Sequence, residues 1–285
     1  MNLRPLSRLT WASATVLGAI VAVIALTMAT SAPATSATTT TAQLGLKPTK
    51  KPTVVLVHGA FADSSSWNDV IDRLQRNGYP VLAVANPLRG LEADAAYVRS
   101  ALDSVPGPIL LAGHSYGGSV ISAAAADHPR VKALVYVAAL APAEGESTAE
   151  LVNKFPGNTL GEHLDAVPFP LPGGGTGTDL YVQPDAFHQH FAADVPAKVA
   201  RLMAATQRPA ATTALEEAAT RSAWRTIPSW ALLATQDRAI PLAAQRFMAK
   251  RANSRTVEVR ASHAVTVSRP DDVAKLIMQA ARTTA

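Results

Sequence analysis

The stretch ILLAGHSYGGSVISAAAA, residues 109–126, decides how the chain is read. It opens on four apolar residues, suited to a buried strand, and closes on a run of small residues, SVISAAAA, suited to a packed helix. Between them lies Gly113-His114-Ser115-Tyr116-Gly117-Gly118, a G-x-S-x-G turn leading from strand to helix. A serine hydroxyl is a weak nucleophile, so a site that uses one must hold it at a sharp turn where a base can reach it. Glycines on both sides let the backbone bend where a Cβ would clash. The helix behind it aims amide groups at developing negative charge. The alternative, a phosphate-binding connection, lacks its lysine and does not fit G-x-G-x-x-G. Ser115 is the candidate nucleophile.

Outward from this stretch, short apolar or β-branched runs recur at 54–57, 81–84, 134–137, 231–234 and 256–259. Helix-like segments separate several of them; 67–75 places Val70, Ile71 and Leu74 on one side before Gly78 stops it. Apolar strands joined by helical crossovers predict a parallel sheet covered on both faces, an α/β protein. Residues 142–227 interrupt the alternation. They show no convincing strand, a Pro/Gly-rich stretch (PFPLPGGGTGTD, 168–179), and helical segments at 185–192, 197–207 and 212–221. An insertion of that length predicts a helical cap over the sheet edge.

A nucleophilic serine needs a base and an orienting acid. Of the seven histidines, only His263 falls in a short loop after the last predicted strand and before a helix, 271–281. That puts it at the same sheet edge as Ser115. His114 lies inside the turn, pointing away from the hydroxyl, and reads as structural. His188 and His190, two apart on a helix, face different directions and make a poor metal pair. Asp237 follows the 231–234 run directly and is the candidate acid, with capping of the next helix as its alternative role. Strand 54–57 runs into His58-Gly59-Ala60-Phe61, a tight turn beside the serine. The amide of Ala60 and that of Tyr116 would together form a two-donor oxyanion hole. Phe61, Phe187, Phe191, Leu202 and Met203 are candidates for an apolar substrate pocket, with a place in the core the alternative for each.

On the motifs HGAF (58–61), GHSYGG (113–118), QDRAIP (236–241) and SHAVTVSRP (262–270), the chain resembles the α/β-hydrolase superfamily over roughly residues 53–283. Within it, the chain is similar to the small esterase-like members, the plant methylesterases and hydroxynitrile lyases. The resemblance implies a mostly parallel eight-stranded sheet with helices on both faces and a helical cap, a Ser115-His263-Asp237 triad, and no cofactor. Lyase members carry a lysine after the triad histidine and a threonine after the first motif's histidine. Here those positions are Ala264 and Gly59, which favours hydrolysis. Members that use an aspartate nucleophile differ at position 115, a serine here.

The ends and the composition complete the reading. Arg4 and Arg8 precede an unbroken apolar run at 16–26 and then Ala32-Pro33-Ala34, the layout of a secretory signal cut after Ala34. An uncleaved membrane anchor is the alternative, since residues 9–29 are mostly apolar. Residues 35–52, rich in Thr, Ala, Ser and Pro, read as a flexible linker, and 53–283 as the hydrolase domain with its cap at about 142–227. The 285 residues include no cysteine, which excludes disulfides, thiolate zinc and iron–sulfur sites; no metal site is expected. The net charge of +5 is not gathered into any basic stripe, so nucleic acid is not an expected partner. The expectation is a secreted serine esterase acting on a small-molecule ester through an acyl-enzyme, without stable membrane insertion once the signal is removed. Alternatives on the same triad are cofactor-free perhydrolysis or carbon–carbon bond hydrolysis. Outside catalysis stands a silent ligand-binding protein on the same scaffold. Oligomeric state is left open.

Overall fold

A computed structural model describes residues 51–283. The predicted signal and all but the last two residues of the predicted linker lie outside the described residues. Every apolar run singled out in the sequence forms a strand of one sheet: β1 (Thr53–Val57), β2 (Val81–Val84), β3 (Ile109–His114), β4 (Val131–Val137), β8 (Ser229–Ala234) and β9 (Arg255–Val259). The order is β2-β1-β3-β4-β8-β9 and every pairing is parallel. Parallel neighbours require crossovers. These are supplied by α1 (Asn68–Arg76), α2 (Leu91–Ser104), α3 (Tyr116–Ala124) and, beyond the insert, α8 (Leu242–Arg251), with α9 (Val265–Ser268) and α10 (Pro270–Arg282) closing the fold.

Successive residues of β1 serve opposite layers. Val55 and Val57 join the core that includes Leu111, Val120 and Tyr136, while Val54 and Leu56 pack with Trp67, Leu110, Trp230 and Ile277. Burial on both faces explains why the central strands β1, β3, β4 and β8 read as nearly continuous apolar runs rather than alternating ones; of the edge strands, β2 is part-buried and β9 mostly exposed.

The sheet has six strands among the described residues, not the eight implied by the resemblance. The sequence outside the insert holds six apolar runs, and the remaining strands belong to a second sheet. The insert also differs from the purely helical cap expected. It carries α4 (Thr148–Asn153), β5 (Leu164–Pro170), β6 (Thr176–Val182), α5 (Pro184–His190), α6 (Ala197–Thr206), β7 (Ala210–Ala211) and α7 (Thr212–Glu216). The three strands form an antiparallel sheet in the order β5-β6-β7. Its hairpin is the Pro/Gly-rich stretch: Gly174 and Gly175 turn with φ of 90° and 85°, and Pro168 and Pro170 sit on the edge strand β5, where a missing amide donor is tolerated. Most of β5 is exposed, so no hydrophobic alternation announces it. Among the described residues no helix is long and apolar enough to cross a membrane.

Candidate active site

The register of the sheet gathers the singled-out residues at one edge. Val57 of β1 lies beside Gly113 of β3, His114 beside Val137 of β4, and Ala234 of β8 beside Val259 of β9. Ser115, Asp237 and His263 leave the carboxyl ends of β3, β8 and β9, and Ala60 that of β1. Ligands of open parallel sheets bind in the crevice at this edge.

Ser115 occupies a strained backbone, φ 54° and ψ −128°, between β3 and α3. A non-glycine residue held there costs about 1–3 kcal/mol, a cost that persists only where the surroundings enforce it. The enforcement is close packing by glycine. A Cβ on Gly117 would stand 2.4 Å from the carbonyl oxygen of Val57, one on Gly113 2.5 Å from that of Gly117, and one on Gly59 2.6 Å from the Ser115 Cβ. Each glycine is needed for approach rather than for an unusual φ.

From this turn a hydrogen-bonded series runs through three buried side chains. The Ser115 Oγ lies 2.8 Å from His263 Nε2, and His263 Nδ1 lies 2.7 Å from Asp237 Oδ2. A carboxylate only accepts, so Nδ1 carries the ring proton toward Asp237 and Nε2 is left to accept from the serine hydroxyl. Asp237 is itself fixed: its Oδ1 accepts from the amides of Ala239 (2.8 Å) and Ile240 (2.9 Å), and its Oδ2 also accepts from Gln245 Nε2 at 3.0 Å. Gln245 donates further to the Ile240 carbonyl and accepts from the Ala234 amide, tying the acid's loop to the end of β8. The motif reading missed this residue. Its signal was a lone amide on the buried stripe Ala244, Gln245, Met248, Ala249 of α8.

His263 is held through its backbone as well. His114 Nε2 donates to the His263 carbonyl at 2.8 Å, and the Ala264 amide donates to the Phe191 carbonyl of the insert at 3.0 Å. Ser262 donates to Asp194, also of the insert. His114 is fully buried, and burial pushes its pKa down to about 3. Its Nδ1 has no hydrogen-bond partner, so a second ring proton would find no acceptor. The ring therefore acts as a neutral strut behind His263, its centroid 4.8 Å from the imidazole.

His58 plays the matching part under the other turn. Its Nδ1 donates to the Gly59 carbonyl at 2.9 Å, and its Nε2 accepts from the Asn86 amide at 3.0 Å, while the Asn86 side chain donates to the His58 carbonyl. Burial lowers its pKa to about 4. The amides of Ala60 and Tyr116 have no acceptor among the described residues, and both residues line the cavity in front of Ser115. Tyr116 itself is anchored by its hydroxyl, which donates to the buried Asp94 carboxylate at 2.8 Å.

The cavity has a volume of about 410 Å³, within the range of small-molecule sites. Ser115 and His263 open into it; Leu140, Val152, Leu160, Leu215 and Ile240 make its walls apolar. Glu162 and Glu216 stand at its exposed margin. Of the five residues singled out for a pocket, Phe61 lines this cavity. Phe187 and Phe191 are buried in the core; the rings of Phe191 and His263 meet in a T-shaped contact at 75°, centroids 5.0 Å apart. Leu202 is 57% exposed, and Met203 lines a smaller separate cavity. Both therefore stand outside the main pocket, because the helix bearing them, α6, turns only Ala200 and Ala204 fully inward. No cluster of three or more metal-ligating side chains occurs among the described residues.

Known proteins share this architecture. The model of the alpha/beta hydrolase family matches residues 54–276. An alpha/beta hydrolase of Aspergillus novofumigatus, nvfD, is 27% identical over 253 residues, which span 81% of this chain and 97% of that protein. The carbendazim hydrolyzing esterase of a Nocardioides species is 32% identical over 114 residues, 35% of this chain and 47% of its own length. The crystal structure of polyneuridine aldehyde esterase matches with a TM-score of 0.71 at 18% identity, covering 81% of this chain and 99% of that one, a likeness of fold.

Proposed function

This chain belongs to the alpha/beta hydrolase family, and on that premise we propose that it hydrolyses carboxylic esters of small molecules through an acyl-enzyme formed on Ser115. The observation that carries the reading is the unbroken series Ser115 Oγ, His263, Asp237, opening at its serine end into an apolar cavity. The curated relative from Nocardioides, an esterase by name, adds support.

In the first half of the reaction, His263 Nε2 takes the hydroxyl proton as Ser115 Oγ bonds to the ester carbonyl carbon. The Asp237 carboxylate, unable to move because four donors hold it, fixes the imidazole tautomer and balances the imidazolium charge. The amides of Ala60 and Tyr116 receive the oxyanion; one such donor is worth about 3 kcal/mol at the transition state. The tetrahedral species expels the alcohol, which takes the proton from His263 Nε2, and the acyl group stays on Ser115. Water then attacks the acyl carbon with His263 again as base, and the carboxylic acid leaves as Ser115 recovers its proton. No step requires a cofactor.

The test is twofold. A fluorophosphonate reagent labels Ser115 rapidly and stoichiometrically, read by peptide mass spectrometry, and a panel of esters of graded chain length is turned over; Ser115→Ala loses both with its fold intact. Absent or slow labelling together with no ester turnover would replace this reading with that of a ligand-binding protein. We also propose, from Arg4, Arg8, the apolar run at 16–26 and Ala32-Pro33-Ala34, that the chain is exported and cut after Ala34.

A further inference from the structure

Phe61 borders two cavities at once. On one side it faces the 410 Å³ cavity that holds Ser115 and His263; on the other it faces a second of about 160 Å³. The second cavity lies between the 3-10 turn Ser64–Trp67 and α6; Ala62, Val199, Met203 and Val267 give it most of its apolar surface, and Ser65, Ser66, Thr206 and Gln207 also line it, the last three donating to the carbonyls of Asp63, Leu202 and Val182. Its one carboxylate, that of Asp63, is engaged, its Oδ1 accepting from the Ser65 amide at 2.7 Å. The Phe61 backbone is equally unusual. Its φ is 60°, in the left-handed region that favours glycine, and its amide is fastened to the Arg208 carbonyl at 3.1 Å. Its ring meets Phe191 edge-on, centroids 6.4 Å apart. The backbone at this position suits a residue without a side chain, yet the position carries a phenyl ring standing between two apolar spaces.

We propose that Phe61 is a specificity-determining partition: its ring ends the catalytic cavity and shuts off a latent subsite shaped for the hydrocarbon chain of a longer ester. The proposal rests on the ester-hydrolase reading of the first cavity. Shortening the ring joins the two spaces, and a chain that previously met the phenyl group passes Phe61 toward Met203. Each methylene then buried instead of exposed raises kcat/KM about fourfold.

The experiment uses two ester series, straight-chain acyl esters of one alcohol and acetates of straight-chain alcohols, on the wild type and on Phe61→Gly. Glycine fits a φ of 60° without strain, so this variant removes the ring without forcing the turn to move. In one of the two series, kcat/KM for chains four carbons past the wild-type optimum rises at least tenfold relative to the shortest ester. Adding Met203→Trp, which fills the second cavity, returns the profile to the wild-type cutoff. A change by the same factor at every length in both series, or a gain that Met203→Trp leaves intact, overturns the proposal. Chain-length dependence of binding gives a readout without turnover. Calorimetric titration of Ser115→Ala and Ser115→Ala/Phe61→Gly with straight-chain methyl ketones shows tighter binding of the long members only when the ring is gone. Should the wild type turn over no ester, the esterase reading falls, and the titration still decides the partition: equal affinity profiles in the two proteins refute it.

Discussion

Acidification strikes the fold at two histidines that cannot accept a proton where they are. His58 Nε2 is already accepting from the Asn86 amide, so a proton there would point at another N–H, and its pKa is lowered to about 4. His114 Nδ1 has no acceptor to face, and its pKa is lowered to about 3. In the unfolded chain both titrate near 6.5. Below that pH the unfolded chain binds protons that the folded chain refuses, so stability present above pH 6.5 is lost as pH falls, until His58 titrates near 4 and His114 near 3. Each refusing histidine removes about 1.4 kcal/mol per pH unit, so between pH 6.5 and 4.5 the pair costs about 5 kcal/mol. Against the 5–15 kcal/mol of an ordinary domain, that is enough to leave the protein marginal. The assay is urea unfolding followed by tryptophan fluorescence at half-unit steps from pH 7.5 to 4.5, on the wild type, His58→Gln, His114→Gln and the double variant. Glutamine can accept at position 58 and donate at position 114 without titrating. Each single variant is expected to flatten the dependence by about 1.4 kcal/mol per pH unit below 6.5, and the double variant by about twice that. A double variant that loses stability as steeply as the wild type would refute the argument.

Other outcomes follow from the same geometry. Asp237→Asn is expected to keep the fold and lower kcat about 10³–10⁴-fold, because an amide can present an N–H to His263 Nδ1 and favour the wrong tautomer; steady-state kinetics on any turned-over ester measures it, and a loss under tenfold contradicts the role. Gln245→Met leaves the Ala234 amide and the Ile240 carbonyl unpaired in the interior, at about 2–4 kcal/mol of stability, read by denaturant midpoint; an unchanged midpoint contradicts it. Edman sequencing of the exported protein is expected to begin at Thr35; a retained Met1 supports the anchor instead.

The sheet was legible because its central strands, buried on both faces, read as continuous apolar runs, while the part-buried and exposed edge runs at 81–84 and 256–259 are marked by β-branched residues; each of the runs at 54–57, 81–84, 109–112, 134–137, 231–234 and 256–259 lies within a strand. The meeting of Ser115, Asp237 and His263 was legible for a related reason. Each follows a strand closely, and in a parallel sheet the ends of strands share an edge. The insert was not legible. The β5–β6 hairpin has prolines on its edge strand, glycines in its turn and mostly exposed side chains on β5, so neither alternation nor β-propensity marks it. Pocket lining was legible only in part: Phe61 lines the cavity, while Phe187 and Phe191 take the place in the core that was the alternative for each. Phe187 and Phe191 have the right chemistry for a substrate wall, but which face of a short helix turns toward a cavity depends on tertiary packing that periodicity does not encode. Gln245 and Asn86 act through hydrogen bonds that reach Asp237 and His58, 8 and 28 positions away, a relation that no local pattern carries.

The fastening of the His263 loop to the insert has a consequence for engineering. Because the Ala264 amide is satisfied by the Phe191 carbonyl and Ser262 by Asp194, the covering segment doubles as scaffolding for the imidazole. Transplanting a foreign cover onto this sheet, a common way to change what such a scaffold accepts, would here withdraw the ties that keep the ring aimed at Ser115. A chimera that preserves 186–195 and exchanges only the hairpin and α7 keeps those ties.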